Sequence, residues 1–295
     1  MTNYLKTLSK LREIEFKYKA FIVDIWGVLW DGIEPYENSI PTLKKLISLN
    51  KPVILLSNAP RRAKVVSKKL QSIGINSNCY SKIISSGELC RIRFLKNKNK
   101  INRYGKKYYF IGQPSDQTIT EMLPIEETKN LKEANFLLVC GTRRFEDNLE
   151  IYKKELNAAL ALKLPLVCAN PDKVVVRKTG KVLICAGLMA DYYLSQGGYV
   201  YKFGKPYKDA YQLCFDHLLL KNLDLKKKDV LCIGDALDTD IVGANNYGLD
   251  TLLIANGIHK ADLMYKRKLL SDSKLKDFFN SKNCSVNYIL RDFSY

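Results

Sequence analysis

The sequence predicts an α/β protein whose core is a doubly wound, parallel, Rossmann-like sheet, with a second α/β domain inserted into that core. Short apolar, strand-like runs alternate with amphipathic helical segments near both ends of the chain, and a separate alternation lies between them. Continuous apolar strands are typical of parallel sheets that helices cover on both faces. With 295 residues, the chain is long enough to form two such cores.

The first part of the core is predicted near the amino terminus. Strands are expected at Phe21-Ile22-Val23 and Val53-Ile54-Leu55-Leu56, and they end at Asp24 and Ser57-Asn58. Helices are expected from Ser39 to Asn50 and from Pro60 to Gly74. The spacing of Leu5, Leu8 and Leu11 predicts one more short amphipathic helix before the first strand.

The same alternation returns late in the chain. A helix near 208–220 precedes the strand Val230-Leu231-Cys232-Ile233, which ends at Gly234-Asp235. A helix at about 238–246 and the strand Thr251-Leu252-Leu253-Ile254 follow. We therefore assign residues 1–86 and 200–295 to the core and residues 87–199 to the inserted domain.

Composition narrows the class of protein. The chain has 48 basic and 30 acidic residues, a formal net charge of +18, which would attract anions. It has no nucleic-acid recognition motif, no apolar run long enough to span a bilayer and no apolar signal segment, so we expect a cytoplasmic protein without nucleic-acid or membrane partners. The eight cysteines lack Cys-x-x-Cys spacing and are expected to be reduced; only two histidines are present.

Polar side chains follow three of the predicted strands. In a parallel sheet the carboxyl ends of the strands share one edge, where ligands bind, so Asp24, Ser57 and Asp235 are expected to lie together. A carboxylate can attack phosphorus directly, and carboxylate oxygens are the ligands that Mg²⁺ prefers. Ser57 and Lys205 are suited to hold a phosphoryl group. These residues predict phosphoryl-transfer chemistry with Mg²⁺.

Four motifs in this order resemble the haloacid dehalogenase superfamily, within it the class IIA sugar and nucleotide phosphatases. They are Asp24-Ile25-Trp26-Gly27-Val28-Leu29-Trp30-Asp31-Gly32, Leu56-Ser57-Asn58, Gly204-Lys205-Pro206 and Gly234-Asp235-Ala236-Leu237-Asp238-Thr239-Asp240. Two further segments, Ile84-Ser85-Ser86-Gly87-Glu88 and Ala169-Asn170-Pro171-Asp172, resemble parts of the class IIA cap. The resemblance covers most of the chain, from about residue 20 to residue 258.

The resemblance implies a role for each matching residue. Asp24 would be the nucleophile, and it would bind Mg²⁺ together with the Asp235 carboxylate and the main-chain carbonyl of Trp26. Ser57 and Lys205 would bind the phosphoryl group. The remaining implied roles belong to Asp240, which would orient Lys205 or a water, Asn58, which would shape the phosphate loop, and Asn170 and Asp172, which would face the substrate. The substrate would be a small phosphorylated metabolite, and the cap surface could form a homodimer.

Trp26 departs from the family pattern. Phosphatases of this superfamily have an aspartate there, which protonates the leaving oxygen and later activates water, whereas an indole cannot exchange a proton at neutral pH. Three explanations stand: substrates whose leaving group needs no proton, another acid such as Asp31, or a protein that binds a phosphorylated ligand with little turnover. The last is the alternative to a phosphatase.

Several residues also have simpler interpretations. Asp238 is expected to be a helix N-cap, His217 a packed or half-exposed helix residue, and Asn170 and Asp172 could merely form a turn. His259, just past a strand, could reach the rim of the site. No function is predicted for residues 263–295.

Overall fold

The computed structural model describes residues 5–96, 105–177, 179–280, 282 and 284–295. The described residues form two compact units, one within residues 1–57, 67–84 and 205–295, the other within residues 58–66 and 85–204. The strands are β1 (Lys6–Leu8), β2 (Ala20–Asp24), β3 (Val53–Ser57), β4 (Lys82–Ser85), β5 (Lys107–Ile111), β6 (Glu126–Glu127), β7 (Phe136–Val139), β8 (Leu166–Cys168), β9 (Val174–Val176), β10 (Val182–Ile184), β11 (Val200–Lys202), β12 (Val230–Gly234), β13 (Asp250–Ile254), β14 (Met264–Tyr265), β15 (Lys268–Leu269) and β16 (Tyr288–Leu290). The α-helices are α1 (Ser39–Ser48), α2 (Ala63–Ser72), α3 (Ser86–Lys96), α4 (Leu149–Ala161), α5 (Ala186–Ser195), α6 (Lys208–Leu219), α7 (Val242–Tyr247), α8 (Lys260–Leu263) and α9 (Asp272–Asn280).

The sheet of the first unit has the strand order β1-β16-β13-β12-β2-β3-β4. Along this order, every pair of neighbouring strands from β1 through β16, β13, β12 and β2 to β3 is parallel. From the neighbours β2 and β12 the chain winds outward in both directions, so the strand order reverses between them. This is the doubly wound core that the sequence predicted, and its switch point lies where Asp24 and Asp235 follow adjacent strands.

The central strands form the core of this unit because every residue of β2, β3 and β12 is buried. Leu43, Leu46 and Ile47 lie at the spacing of one helix face; helix α1 buries Leu43 and Leu46, and Ile47 is half-buried. Asn50, two residues after the helix, has φ +56°, in the left-handed region where a helix stops. The predicted span from Ser39 to Asn50 therefore matches this helix to within two residues.

The predicted amino-terminal helix is wrong. Lys6 to Leu8 form β1, which pairs in parallel with β16 at the edge of the sheet, and Leu8 and Leu11 are both buried. A three-residue spacing of leucines also fits a short strand followed by a 3₁₀ turn. Here β16 offers unpaired backbone groups, and pairing with them satisfies the chain better than one isolated short helix would. The carboxyl-terminal region, without a predicted function, thus completes the sheet.

The second unit has its own sheet, of order β11-β8-β7-β5-β6 with parallel ladders, and an antiparallel hairpin of β9 and β10. Helices α4 and α5 cover one face with a core that includes the fully buried Tyr152, Leu156, Met189 and Tyr193. Cys90, Phe94 and Phe136 belong to another cluster of this unit. These layers are the inserted α/β domain that the alternation between the two halves predicted.

Among the described residues, no helix combines the length and apolar character needed to cross a membrane.

Candidate active site

Four charged side chains meet at the carboxyl edge of the first unit's sheet. Lys205 Nζ donates hydrogen bonds to Asp24 Oδ1 at 2.6 Å and to Asp240 Oδ1 at 2.7 Å. Asp24 ends β2, and Asp235 follows the adjacent strand β12 directly. All four residues are at most 7% exposed. The structure therefore brings Asp24, Lys205, Asp235 and Asp240 together, and buried charges of this kind need partners.

The turn after β12 holds Asp240 in place. Leu237 to Ile241 form a π-helical turn, and Asp240 Oδ2 accepts a hydrogen bond from the backbone N–H of Ala236 at 3.2 Å. Both carboxylate oxygens of Asp240 are thus in use, one by Lys205 and one by the chain itself. Because Ala236 is the N-cap of this turn, the prediction that Asp238 caps a helix is wrong; Asp238 lies inside the turn.

Two glycines surround the Asp235 carboxylate. A Cβ on Gly27 would lie 2.0 Å from Asp235 Oδ2, and one on Gly257 would lie 2.2 Å from the same oxygen. Gly27 also has φ +82°, which favours glycine. The backbone N–H of Ile258 donates to Asp235 Oδ2 at 2.8 Å. Sequence reasoning missed Gly257 and Ile258, although a glycine just past a buried strand is a signal of close backbone approach.

The donors present fit a divalent metal ion. One carboxylate oxygen from each of Asp24, Asp235 and Asp240 lies within 4.8 Å of the other two. Burial, and next the nearby Asp240, raise the pKa of the Asp24 carboxyl well above its usual range, while Lys205 opposes the rise. One ammonium cannot balance three buried carboxylates. A hard cation such as Mg²⁺, which takes oxygen ligands, would remove that excess charge.

Three of the predicted substrate residues form a second polar group, in the other unit. Asn58 Nδ2 donates to Asp172 Oδ1 at 2.7 Å, and Asn170 Oδ1 accepts from the backbone N–H of Asp172 at 3.1 Å. Asn170 therefore forms the turn that its residue type favours, and that turn presents Asp172 to Asn58. Ser57, the last residue of β3, is buried in the first unit.

The Trp26 ring packs within its own loop. It meets Trp30 edge to face, with ring centroids 5.4 Å apart and planes at 74°. It also covers Gly32, where a Cβ would lie 2.3 Å from a carbon of the indole ring. Gly32 has φ +93°, so the loop needs a glycine there both for its backbone and for the indole.

The nearby acids are engaged elsewhere. Asp31 Oδ1 accepts hydrogen bonds from the backbone N–H groups of Ile33 and Glu34, both at 2.8 Å, and the side chain is 2% exposed. Burial, followed by the charge of Asp235, raises the pKa of the Tyr36 phenol above its usual value. Asp31 thus shapes the loop, and Tyr36 is a weaker proton donor than an ordinary tyrosine.

The two histidines differ in their surroundings. His259 Nε2 accepts a hydrogen bond from the backbone N–H of Leu237 at 3.2 Å, so the imidazole contacts the turn beside the acidic cluster. His217 is a half-buried residue of α6, as expected. Burial, and then Lys82 and Lys221, lower the pKa of His217.

Comparisons with known proteins identify the family of this chain. Residues 21–126 match the family model for haloacid dehalogenase-like hydrolases, and residues 202–277 match a second, HAD-hydrolase-like model. The acid sugar phosphatase of Staphylococcus saprophyticus is 23% identical over 88% of this chain and 95% of its own. The 4-nitrophenylphosphatase of Schizosaccharomyces pombe is 24% identical over 89% of this chain and 92% of its own.

A solved structure shows the same fold. The crystal structure of a haloacid dehalogenase-like hydrolase from Brucella suis 1330 superposes with a TM-score of 0.82 at 26% identity, covering 97% of this chain and 99% of that one. The first match extends from β2 into the second unit, and the two matched ranges together contain Asp24, Lys205, Asp235 and Asp240. The chain therefore belongs to the haloacid dehalogenase-like hydrolases, in the class IIA group that its motifs predicted.

Proposed function

We propose that this protein is a Mg²⁺-dependent phosphatase that hydrolyses a small phosphorylated metabolite through an aspartyl phosphate on Asp24. The observation that carries the proposal is the buried group of Asp24, Lys205, Asp235 and Asp240 at the switch point of the sheet. The relatives named acid sugar phosphatase and 4-nitrophenylphosphatase support the same class of substrate, a phosphate monoester.

The first chemical step would use Asp24 and Lys205. An Asp24 oxygen attacks phosphorus, the bond from phosphorus to the ester oxygen breaks, and the leaving group departs with the electron pair. Bound Mg²⁺ would neutralise the charge of the phosphate; Asp24 and Asp235, with the main-chain carbonyl of Trp26, would hold the ion. The Lys205 ammonium keeps Asp24 oriented and balances the charge on the transferred group. Water then attacks the phosphorus of the aspartyl phosphate, releases inorganic phosphate and restores Asp24.

The identity of residue 26 limits the leaving group. Two residues of this loop are poor acids: the Trp26 indole cannot exchange a proton at neutral pH, and Asp31 holds its own turn. General acid–base catalysis is typically worth ~10²–10⁴-fold. Without a general acid, the hydrolysis of aryl and acyl phosphates slows less than that of alkyl phosphates, because their leaving groups depart as stable anions. We therefore propose substrates with such leaving groups.

The aspartate that the family has at position 26 also activates the water in the second step, so its replacement by Trp26 affects that step as well. Cleavage of the aspartyl phosphate would then be slower than its formation. This predicts a burst of product with an aryl phosphate, close to one equivalent per chain, before the steady rate. The burst would report accumulation of phosphorylated Asp24.

The alternative is a protein that binds a phosphorylated ligand with little turnover, which the same replacement at Trp26 favours. Ser57 and Lys205 would then hold the phosphate without transfer. In either case we propose Asn58, Asn170 and Asp172 as substrate-binding residues. Two hydrogen bonds support this: Asn58 donates to the Asp172 side chain, and the backbone N–H of Asp172 donates to the Asn170 side chain.

One experiment separates the two functions. Phosphate release from an aryl, an acyl and a sugar phosphate is measured with and without Mg²⁺, and Asp24→Asn serves as the control. A phosphatase shows Mg²⁺-dependent release that the Asp24→Asn variant lacks, fastest with the aryl and acyl phosphates. If all three substrates give no more release than the variant, the binding protein is the better description.

A further inference from the structure

The segment after β13 contacts the segment after β12 at two points. The backbone N–H of Ile258 donates to Asp235 Oδ2 at 2.8 Å, and His259 Nε2 accepts from the backbone N–H of Leu237 at 3.2 Å. Ile258 and His259, which are consecutive in the loop after β13, thus bind Asp235 and Leu237 in the loop after β12. One bond holds the proposed metal-binding carboxylate, and the other holds the backbone just beyond it.

The imidazole has support on its other sides. Its Nδ1 lies 3.5 Å from Oδ2 of Asp262, and its ring meets Phe278 of α9 at a centroid distance of 6.4 Å. Phe278 packs against the core cluster that contains Leu237 and Leu263. The carboxyl-terminal helix therefore backs the histidine, and the His259 side chain is only 22% exposed.

The hydrogen bond also defines the protonation of the ring. A neutral imidazole carries one N–H, so an Nε2 that accepts a hydrogen bond requires the proton on Nδ1. That nitrogen faces the Asp262 carboxylate, which can accept from it.

We propose that His259 is a positioning residue that fixes the Asp235 carboxylate for the divalent cation. The close approach of two glycines to the Asp235 carboxylate explains why this loop needs to be held in place. Gly27 and Gly257 lie so close to Asp235 Oδ2 that a Cβ on either would come within 2.2 Å of it. A loop that slips by a fraction of an ångström would therefore either press on the carboxylate or lose the Ile258 bond. His259 prevents this slip by joining the two loops through Leu237.

This inference rests on the proposed metal site, and it is tested without turnover. Mn²⁺ serves as a paramagnetic substitute for Mg²⁺, and its binding is measured by electron paramagnetic resonance. The variants are His259→Leu, which keeps bulk but no acceptor, and His259→Gln, whose amide oxygen can still accept. His217→Leu is the matched control, because it removes the other histidine, a half-buried residue of α6.

Partners that orient metal ligands typically change metal affinity by ~10–100-fold when removed. We expect His259→Leu to weaken Mn²⁺ binding at least ~10-fold, with the Gln variant within about threefold of wild type and the His217 variant unchanged. A folded Leu variant that binds Mn²⁺ as wild type does would overturn the inference and leave the proposed function intact. A wild-type protein that binds no Mn²⁺ would overturn both.

A second measurement covers the case in which His259→Leu does not fold. With only two histidines in the chain, the ring nitrogens of His259 can be assigned by long-range ¹H–¹⁵N correlation spectra of the wild type and His217→Leu. We expect the proton on Nδ1. A proton on Nε2 would show that the Leu237 bond is absent and would overturn the inference.

Discussion

Replacing Trp26 with aspartate tests whether the missing acid limits this enzyme. The substitution restores the family residue two positions after Asp24. If proton transfer is what the site lacks, the Asp variant should hydrolyse a sugar phosphate ~10²–10⁴-fold faster than wild type, the usual value of general acid–base catalysis. With 4-nitrophenyl phosphate, whose phenolate leaves without a proton, the gain should be below ~10-fold.

The structure also gives the cost of the change. Trp26 makes an edge-to-face pair with Trp30 and covers Gly32, and such aromatic pairs are worth ~0.5–1.5 kcal/mol beyond their buried area. The indole is only partly buried, so we expect a loss of about 2 kcal/mol in the free energy of unfolding. Urea denaturation measures this loss, and the protein should remain folded during the assay.

Trp26→Asn is the matched control, since it removes the same contacts and has the shape of aspartate but no acidic proton. The assay compares kcat/KM of wild type, Asp and Asn variants on the sugar and the nitrophenyl esters. The reasoning is refuted if the Asp and Asn variants gain equally on the sugar phosphate. A loosened loop, rather than a proton, would then explain the gain.

Three further predictions concern the charged cluster. Lys205→Met should abolish phosphate release and lower the free energy of unfolding, measured by urea denaturation, by ~3–5 kcal/mol. The reason is that breaking the buried ion pair leaves Asp24 without its cation. A stable, active variant would contradict this. Gly257→Ala should weaken Mn²⁺ binding at least ~10-fold, since its Cβ would lie 2.2 Å from Asp235 Oδ2, whereas Gly141→Ala, with no atom within 4 Å of the added Cβ, should bind normally. Burial raises the pKa of Asp24 in the folded, metal-free protein above its unfolded-state value of ~3.9. The protonated carboxyl therefore contributes stability below the unfolded-state pKa, and this contribution is lost as the pH rises through the folded-state pKa. Asp24→Asn should therefore stabilise the metal-free protein at about pH 8 but not near pH 3, and an equal effect at both pH values in urea denaturation would argue against this account.

The sequence alone determined the fold class and one edge of the site. Apolar runs such as Val53–Leu56 are local signals, and polar residues at the ends of parallel strands must share an edge whatever the details of packing. This alone places Asp24 and Asp235 on one edge of the same sheet. The replacement at Trp26 was equally visible, because it needs only the spacing from Asp24.

Only the tertiary structure decided which partners these residues have. Lys205 binds Asp24 across 181 positions of sequence, and His259 binds Leu237 across 22. Periodicity reports which face of an element is buried, and it carries no information about a hydrogen bond to a distant loop. The strand at Lys6–Leu8 has the same origin: its own leucines fit a helix, and the backbone of β16 made it a strand. Local sequence set the central strands of this protein, whereas long-range hydrogen bonds set the edge strand β1 and the contacts of the site.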